Sequence, residues 1–165
     1  MAGADSSGRG RRLSHLDDTG AAHMVDVTAK DATTRTAVAT GVLHTRADVV
    51  EMIATGGLPK GDALATARIA GILAAKRTSD LIPLCHQLAL TGVDVEFEVG
   101  SVDVTITATV KTTDRTGVEM EALTAVSVAA LTLYDMLKAV DPAATIEGIA
   151  VQRKDGGKTG HWERP

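Results

Sequence analysis

Two stretches of strict alternation stand side by side in the middle of the chain. VDVEFEV (93–99) and VDVTITATV (102–110) put Val, Phe, Ile and Ala on one parity and Asp, Glu and Thr on the other. Period-two alternation rich in β-branched residues predicts half-buried strands, and Gly100-Ser101 between them reads as a two-residue hairpin turn with Gly in first place. TRTAVATGVLHT (34–45) predicts an earlier strand and TIEGIAVQRK (145–154) a last one. Helical spacing fills the rest. ADVVEMIATGG (47–57) is a short helix closed by Gly56 and Gly57, and ALATARIAGILAAKRTSD (63–80) is a longer one with a small, apolar face. Pro83 then breaks the chain into the loop LIPLCHQL, and the turn TDRTG (113–117) leads into a long apolar helix over 118–140. The order β-α-α-β-β-α-β is that of a split βαβ unit. It predicts an α+β, ferredoxin-like fold: an antiparallel sheet with helices packed on one face. Residues 1–22 carry no periodicity and are expected to be flexible, and no internal repeat is present.

Composition narrows this picture. A length of 165 residues suits one domain with a proper core. Phe97, Tyr134 and Trp162 are the only aromatic residues, so that core must be built from Ala, Val, Leu and Ile with closely approaching backbones. A net charge of −4 argues against a nucleic-acid footprint, although 17 Lys and Arg leave room for a local cationic pocket. The single cysteine, Cys85, excludes an intrachain disulfide framework and fits a reducing compartment. No apolar stretch ahead of 118–140 approaches membrane-span length, and that helix is interrupted by Glu119, Glu121, Asp135 and Lys138. The N-terminus MAGADSSGRGRR has no apolar signal segment, and a cytoplasmic location is expected.

Candidate chemistry starts in the long helix. LTLYDMLKAV (131–140) places a carboxylate and an ammonium three residues apart in an apolar run, where a buried charge is costly unless paired or neutralised. Asp135 and Lys138 are therefore either a structural ion pair or an acid/base couple. Glu121 falls on nearly the same stripe of the helix, about 40° from Asp135, yet roughly 21 Å away along the axis. One small ligand does not reach both from a single straight helix, whereas two subunits with antiparallel helices would join one chain's Glu121 to the other's Asp135. Lys60, in LPKGD, and His86, in LCHQL, are further polar candidates on loops, each with a bland reading as a solvated or hydrogen-bonded loop residue. Cys85 reads as a small hydrophobe rather than a nucleophile. GGKTG (156–160) fails as a nucleotide P-loop, because the first Gly of that motif would fall on Gln152 and no helix can follow so close to Pro165. As a glycine-rich turn with Lys154 and Lys158 it can still offer amides and cations to a phosphate. His15, His23, His44, His86 and His161 show no metal-ligand spacing, and no metal site is expected.

HMVDVTAK (23–30), KGDALATARIAGILAAKRTSDLIPLCH (60–86), TGVEMEALTAVSVAALTLYDMLKAV (116–140) and GGKTG (156–160) together resemble the cyclic pyranopterin monophosphate synthases, the molybdenum-cofactor biosynthesis protein C family. The resemblance runs in order from about residue 13 to 162. The first 12 residues lie outside it and are expected to be a flexible tail, ahead of one domain over 13–165 that ends in a mobile Gly-rich segment. The resemblance implies conversion of 3′,8-cyclo-7,8-dihydroguanosine 5′-triphosphate to cyclic pyranopterin monophosphate with release of pyrophosphate. By matching motif, Asp135 and Lys138 are implied as catalytic, with Lys60 a further catalytic lysine. Leu84, Cys85, His86, Glu119, Met120, Glu121 and Lys154 are implied as substrate-binding. A homo-hexamer, a trimer of dimers with sites between subunits, is implied too. No resident cofactor is expected, and Mg²⁺ is compatible with the substrate phosphates. Two departures stand out: Gln87 where the family usually has Pro, and Leu137 in place of a frequent Cys.

With that substrate, Lys60, His86 and Lys154 are suited to bind phosphate by charge-assisted hydrogen bonds, and Glu121 or Glu119 to accept ring N–H groups. Asp135 and Lys138 fit general acid/base work, with burial and nearby Lys60 expected to lower the Lys138 pKa. A ferredoxin-like effector-binding module would use the same pockets without turnover. An RNA-binding sheet would need exposed aromatics on its central strands, and the hairpin offers only Phe97.

Overall fold

The computed structural model describes residues 16–165. The N-terminal tail expected over 1–12, and His15, lie outside the described residues. The elements are β1 (Thr33–His44), α1 (Ala47–Thr55), α2 (Ala63–Ala75), α3 (Thr78–Leu81), β2 (Leu90–Val99), β3 (Asp103–Asp114), α4 (Glu119–Leu137), β4 (Thr145–Asp155) and β5 (Trp162–Glu163). They form one antiparallel sheet of order β2-β3-β1-β4-β5. The first four strands have the split βαβ arrangement, and the fold is α+β and ferredoxin-like. β5 is an addition that pairs Arg153 with Glu163 and Lys154 with Trp162 at the sheet edge.

Alternation sets the buried face. Ala37, Ala39, Gly41 and Leu43 of β1 point inward with Val104, Ile106, Ala108 and Val110 of β3, and the two strands pair without a register shift from Thr33↔Asp114 to His44↔Asp103. Helix α4 lies across this face beside α2. The small residues let it come close: a Cβ at Gly41 would stand 2.8 Å from Val126 Cγ1, and one at Gly71 of α2 3.0 Å from the Ala125 carbonyl oxygen. The core is the aliphatic, aromatic-poor one that composition requires, centred on Leu43, Ile106, Val126, Leu133 and Leu137. Helix α4 has the length and apolarity of a membrane span, but it is the central core helix, with more than half of it buried inside the protein.

Two local expectations are corrected. The hairpin turn is centred on Ser101-Val102, because the Gly100 N–H bonds the Asp103 carbonyl and closes the ladder one residue later. The helix expected over 63–80 is split. Thr78 is buried and its hydroxyl donates to the Ala75 carbonyl at 3.0 Å, satisfying the end of α2, and α3 stops ahead of Pro83. Residues 16–22, within the stretch expected to be flexible, close a turn in which the Asp17 carboxylate accepts from the Thr19 and Ala21 backbone N–H groups.

Candidate functional site

Polar chemistry gathers at the two ends of α4. At its C-terminal end Asp135 holds two lysines. Its Oδ2 lies 2.7 Å from Lys60 Nζ and its Oδ1 2.7 Å from Lys138 Nζ. Lys138 arrives by helical i,i+3 spacing, whereas Lys60 comes from the loop after α1, 75 residues away. That loop is anchored by buried Leu58 and turns at Gly61, whose φ of 92° suits glycine. The helix is buried along one side only, and Asp135 and Lys138 stand on its outer edge, about half exposed.

The two ammonium groups hold the Asp135 carboxyl down to about 2, the Lys138 hydrogen bond being the larger cause and Lys60 the next. The expected lowering of the Lys138 pKa is corrected: it is raised, first by its hydrogen bond to Asp135 and then by that carboxylate's charge. Lys60 does not act on Lys138 as a bare like charge, because the carboxylate sits between them.

At the N-terminal end of α4 the first turn carries Glu119, Met120 and Glu121. Two carboxyl groups at a helix N-terminus are favoured by the exposed N–H groups there. They border a cavity of about 450 Å³ lined also by Leu84, Cys85, His86, Val25 and Lys30. Glu121 is only 4% exposed. Desolvation raises its pKa from 4.5 to about 7, a hydrogen bond with its own backbone N–H offsets part of this, and the Glu119 charge adds to the rise. Burial, together with the Glu121 charge, also pushes the Cys85 thiol up, away from nucleophile character. His86 Nε2 is 2.7 Å from the Val25 carbonyl oxygen. A carbonyl only accepts, so this nitrogen carries a proton and ties the segment ahead of β1 over the cavity.

A second hollow, about 60 Å³, shares Gly117 and Glu119 with the first and is lined by Arg35, Lys154, Lys158 and the Gly156 turn. Glu119 and Lys154 pair across it at 2.9 Å. The structure thus brings Leu84, Cys85, His86, Glu119, Met120 and Glu121 to one cavity with Lys154 beside it, and Lys60, Asp135 and Lys138 to a separate cluster. Sequence reasoning gave no role to Lys30 or Arg35, which sit in or before β1 with no spacing signature. The available signal for Lys30 was its place in HMVDVTAK. Among the described residues no group of three or more His, Cys, Asp or Glu is arranged to hold a metal ion.

A cavity with one buried, neutralisable carboxyl, rimmed by lysine and arginine, marks a small α+β enzyme acting on an anionic small molecule. The family is shown by comparison: residues 24–157 match the MoaC family, and the chain belongs to it. It is 73% identical over 156 residues to cyclic pyranopterin monophosphate synthase 2 of Mycobacterium tuberculosis H37Rv, covering 94% of this chain and 93% of that protein. The cyclic pyranopterin monophosphate synthase of Streptomyces griseus is 61% identical over 169 residues, covering 99% and 96%, and that of Corynebacterium glutamicum 59% over 151 residues, covering 92% and 97%.

Proposed function

We propose that this chain is a lyase of molybdenum cofactor biosynthesis that converts 3′,8-cyclo-7,8-dihydroguanosine 5′-triphosphate to cyclic pyranopterin monophosphate and releases pyrophosphate. The observation that carries this reading is the family match, within which both ends of α4 and their partners fall. In the cavity, Glu121 and Glu119 accept N–H groups of the guanine-derived ring and His86 donates to phosphate oxygens, as do Lys154 from beside the cavity and Lys60 from the cluster at the other end of α4. Lys138 and Asp135 move protons during ring opening and pterin closure. In the last step a sugar-derived hydroxyl attacks the α-phosphorus, its proton passes to a base, and the bond to pyrophosphate breaks with lysine charge on the leaving oxygens. Any Mg²⁺ would enter with the triphosphate.

Helix length requires one more element. Glu121 and Asp135 are about 21 Å apart along the axis, so the two clusters of one chain do not meet on one small substrate. A homo-oligomer with each site shared between neighbours, a hexamer built from dimers, joins them. Exposed Ile69, Leu73 and Leu131 on α2 and α4 supply apolar surface for such contacts. We place this enzyme in the cytoplasm, with no nucleic-acid or membrane partner.

The direct test is pyrophosphate and pterin production from the cyclised dihydro-GTP by the wild-type chain; tight binding without turnover would leave only an effector-binding module. Shared sites make a second prediction. Inactive Lys138→Ala and Glu121→Gln chains, unfolded and refolded together, should recover about a quarter of wild-type activity, because hybrid dimers hold one intact site. No recovery from mixed oligomers would place both clusters in separate sites.

A further inference from the structure

Beyond α4 the chain reaches Asp141, whose carboxylate is buried outside both clusters described above (residue exposure 4%). Its Oδ2 accepts from the Thr45 hydroxyl at 2.6 Å and from the Arg46 backbone N–H at 3.4 Å, and its Oδ1 accepts from the Ala143 N–H at 3.1 Å. Arg46 Nη1 lies 3.8 Å from Oδ1 and donates to the Val140 carbonyl at 3.0 Å. The other edge of the same guanidinium forks onto Asp48 at 3.0 and 2.9 Å, in the first turn of α1. Tyr134, next to Asp135, donates its hydroxyl to the Pro142 carbonyl and ties the same loop from the helix side.

These bonds join the two pieces of chain that carry the acid/base cluster. Asp135 and Lys138 ride on the last turns of α4, whereas Lys60 follows α1, whose N-terminus is the Thr45-Arg46 junction. The distance from Lys60 to Asp135 therefore depends on how the Thr45-Arg46 start of α1 is tied to the segment that follows α4, and the Asp141 carboxylate is the buried group in that tie. An exposed two-lysine cluster cannot fix its own geometry, because exposed ion pairs of long side chains gain little from pairing. A buried, charge-assisted set of bonds can.

We propose that Asp141, with Thr45 and Arg46, is a positioning clamp that holds Lys60 on Asp135 and so keeps the Lys138 couple in its working geometry. The catalytic half of this statement rests on the function proposed above; the geometric half does not. Two readouts on the full-length chain separate them. Asp141→Asn keeps the shape and removes the charge. It should lower kcat roughly ten- to a hundredfold, as misplacement near a reacting centre does, with KM little changed. The carboxyl-¹³C titration midpoint of Asp135 should move from about 2 toward the ordinary 3.8 as Lys60 drifts off. Thr45→Val, which removes one hydrogen bond to the carboxylate and leaves the charges, should shift both readouts in the same direction by less, and it serves if Asp141→Asn does not fold. In a Lys60→Met background the kcat cost of Asp141→Asn should largely vanish, whereas a merely structural role would make the two costs add. An Asp135 midpoint that stays put, additive kcat costs, or a moved midpoint with kcat unaltered overturns the clamp. A wild-type chain that never turns over would sink the function reading and leave the midpoint to judge the clamp.

Discussion

Replacing Lys138 with alanine should lower kcat by roughly 10²- to 10⁴-fold, the range associated with a positioned general acid or base. Fold and thermal stability should hardly move, because Lys138 and Asp135 are half exposed and exposed ion pairs add little to stability. The loss should appear in kcat more than in KM, since the proposed proton-transfer role would be realised in the transition state. Asp135→Asn should behave alike for a different reason. It removes the carboxylate that holds both lysines, so Lys60 and Lys138 face each other as like charges. Acid behaviour follows from the depressed Asp135 pKa. Its folded value, about 2, lies below the ordinary 3.8, so the pair's contribution to stability is present above about pH 4 and is lost as pH falls toward 2. Steady-state kinetics beside circular dichroism check the prediction. A Lys138→Ala chain that folds and turns over normally would make the cluster a surface ion pair.

The sheet was legible because its strands obey one rule. Val104, Ile106, Ala108 and Val110 are inward on every second position, and no tertiary contact competes with that alternation. β5 escaped because two residues, Trp162 and Glu163, carry no period; only their pairing with β4 makes them a strand. The helix break at Thr78 escaped because it depends on a side-chain hydroxyl reaching back to a carbonyl, which propensity does not register. At the site, i,i+3 spacing revealed Asp135 with Lys138, since a helix fixes that distance locally. Lys60 joins them from another element, and the direction of the Lys138 shift depends on what stands between the two lysines: an exposed carboxylate bridge raises the pKa, where burial beside a bare like charge would lower it. The residue that is strongly buried, Glu121, has the same composition-level appearance as Glu119 two positions before it. One packs inward and the other reaches Lys154, a difference of helical phase against a cavity wall formed by residues 84–86 and the segment ahead of β1.

That inward carboxyl carries the second large effect: at pH 8 the Glu121→Gln chain should be more stable than wild type, although Glu121 belongs to the proposed substrate site. The folded chain holds the Glu121 proton up to about pH 7, while an unfolded chain releases it near 4.5. Between these values the folded state binds more protons than the unfolded one, so stability falls as pH rises, and the penalty is complete above about pH 7. A rise of this size corresponds to about 3 kcal/mol at most. Glutamine has nearly the same shape and no charge to desolvate. The variant should therefore match wild type near pH 4.5, where the carboxyl is largely protonated in the folded chain, and unfold several degrees above it at pH 8. Urea or thermal unfolding of both chains at the two pH values reads the difference directly; an equal fall of stability with pH in both would show that Glu121 is not the group responsible. Activity should move the other way. A carboxylate that accepts N–H groups of a bound ring has its charge cost offset by the ligand, so substrate binding should draw the Glu121 proton off near neutrality and glutamine should lose that gain. A residue that weakens the empty protein and strengthens the complex is kept for the complex, which is the trade expected where a site has been built at the expense of the fold.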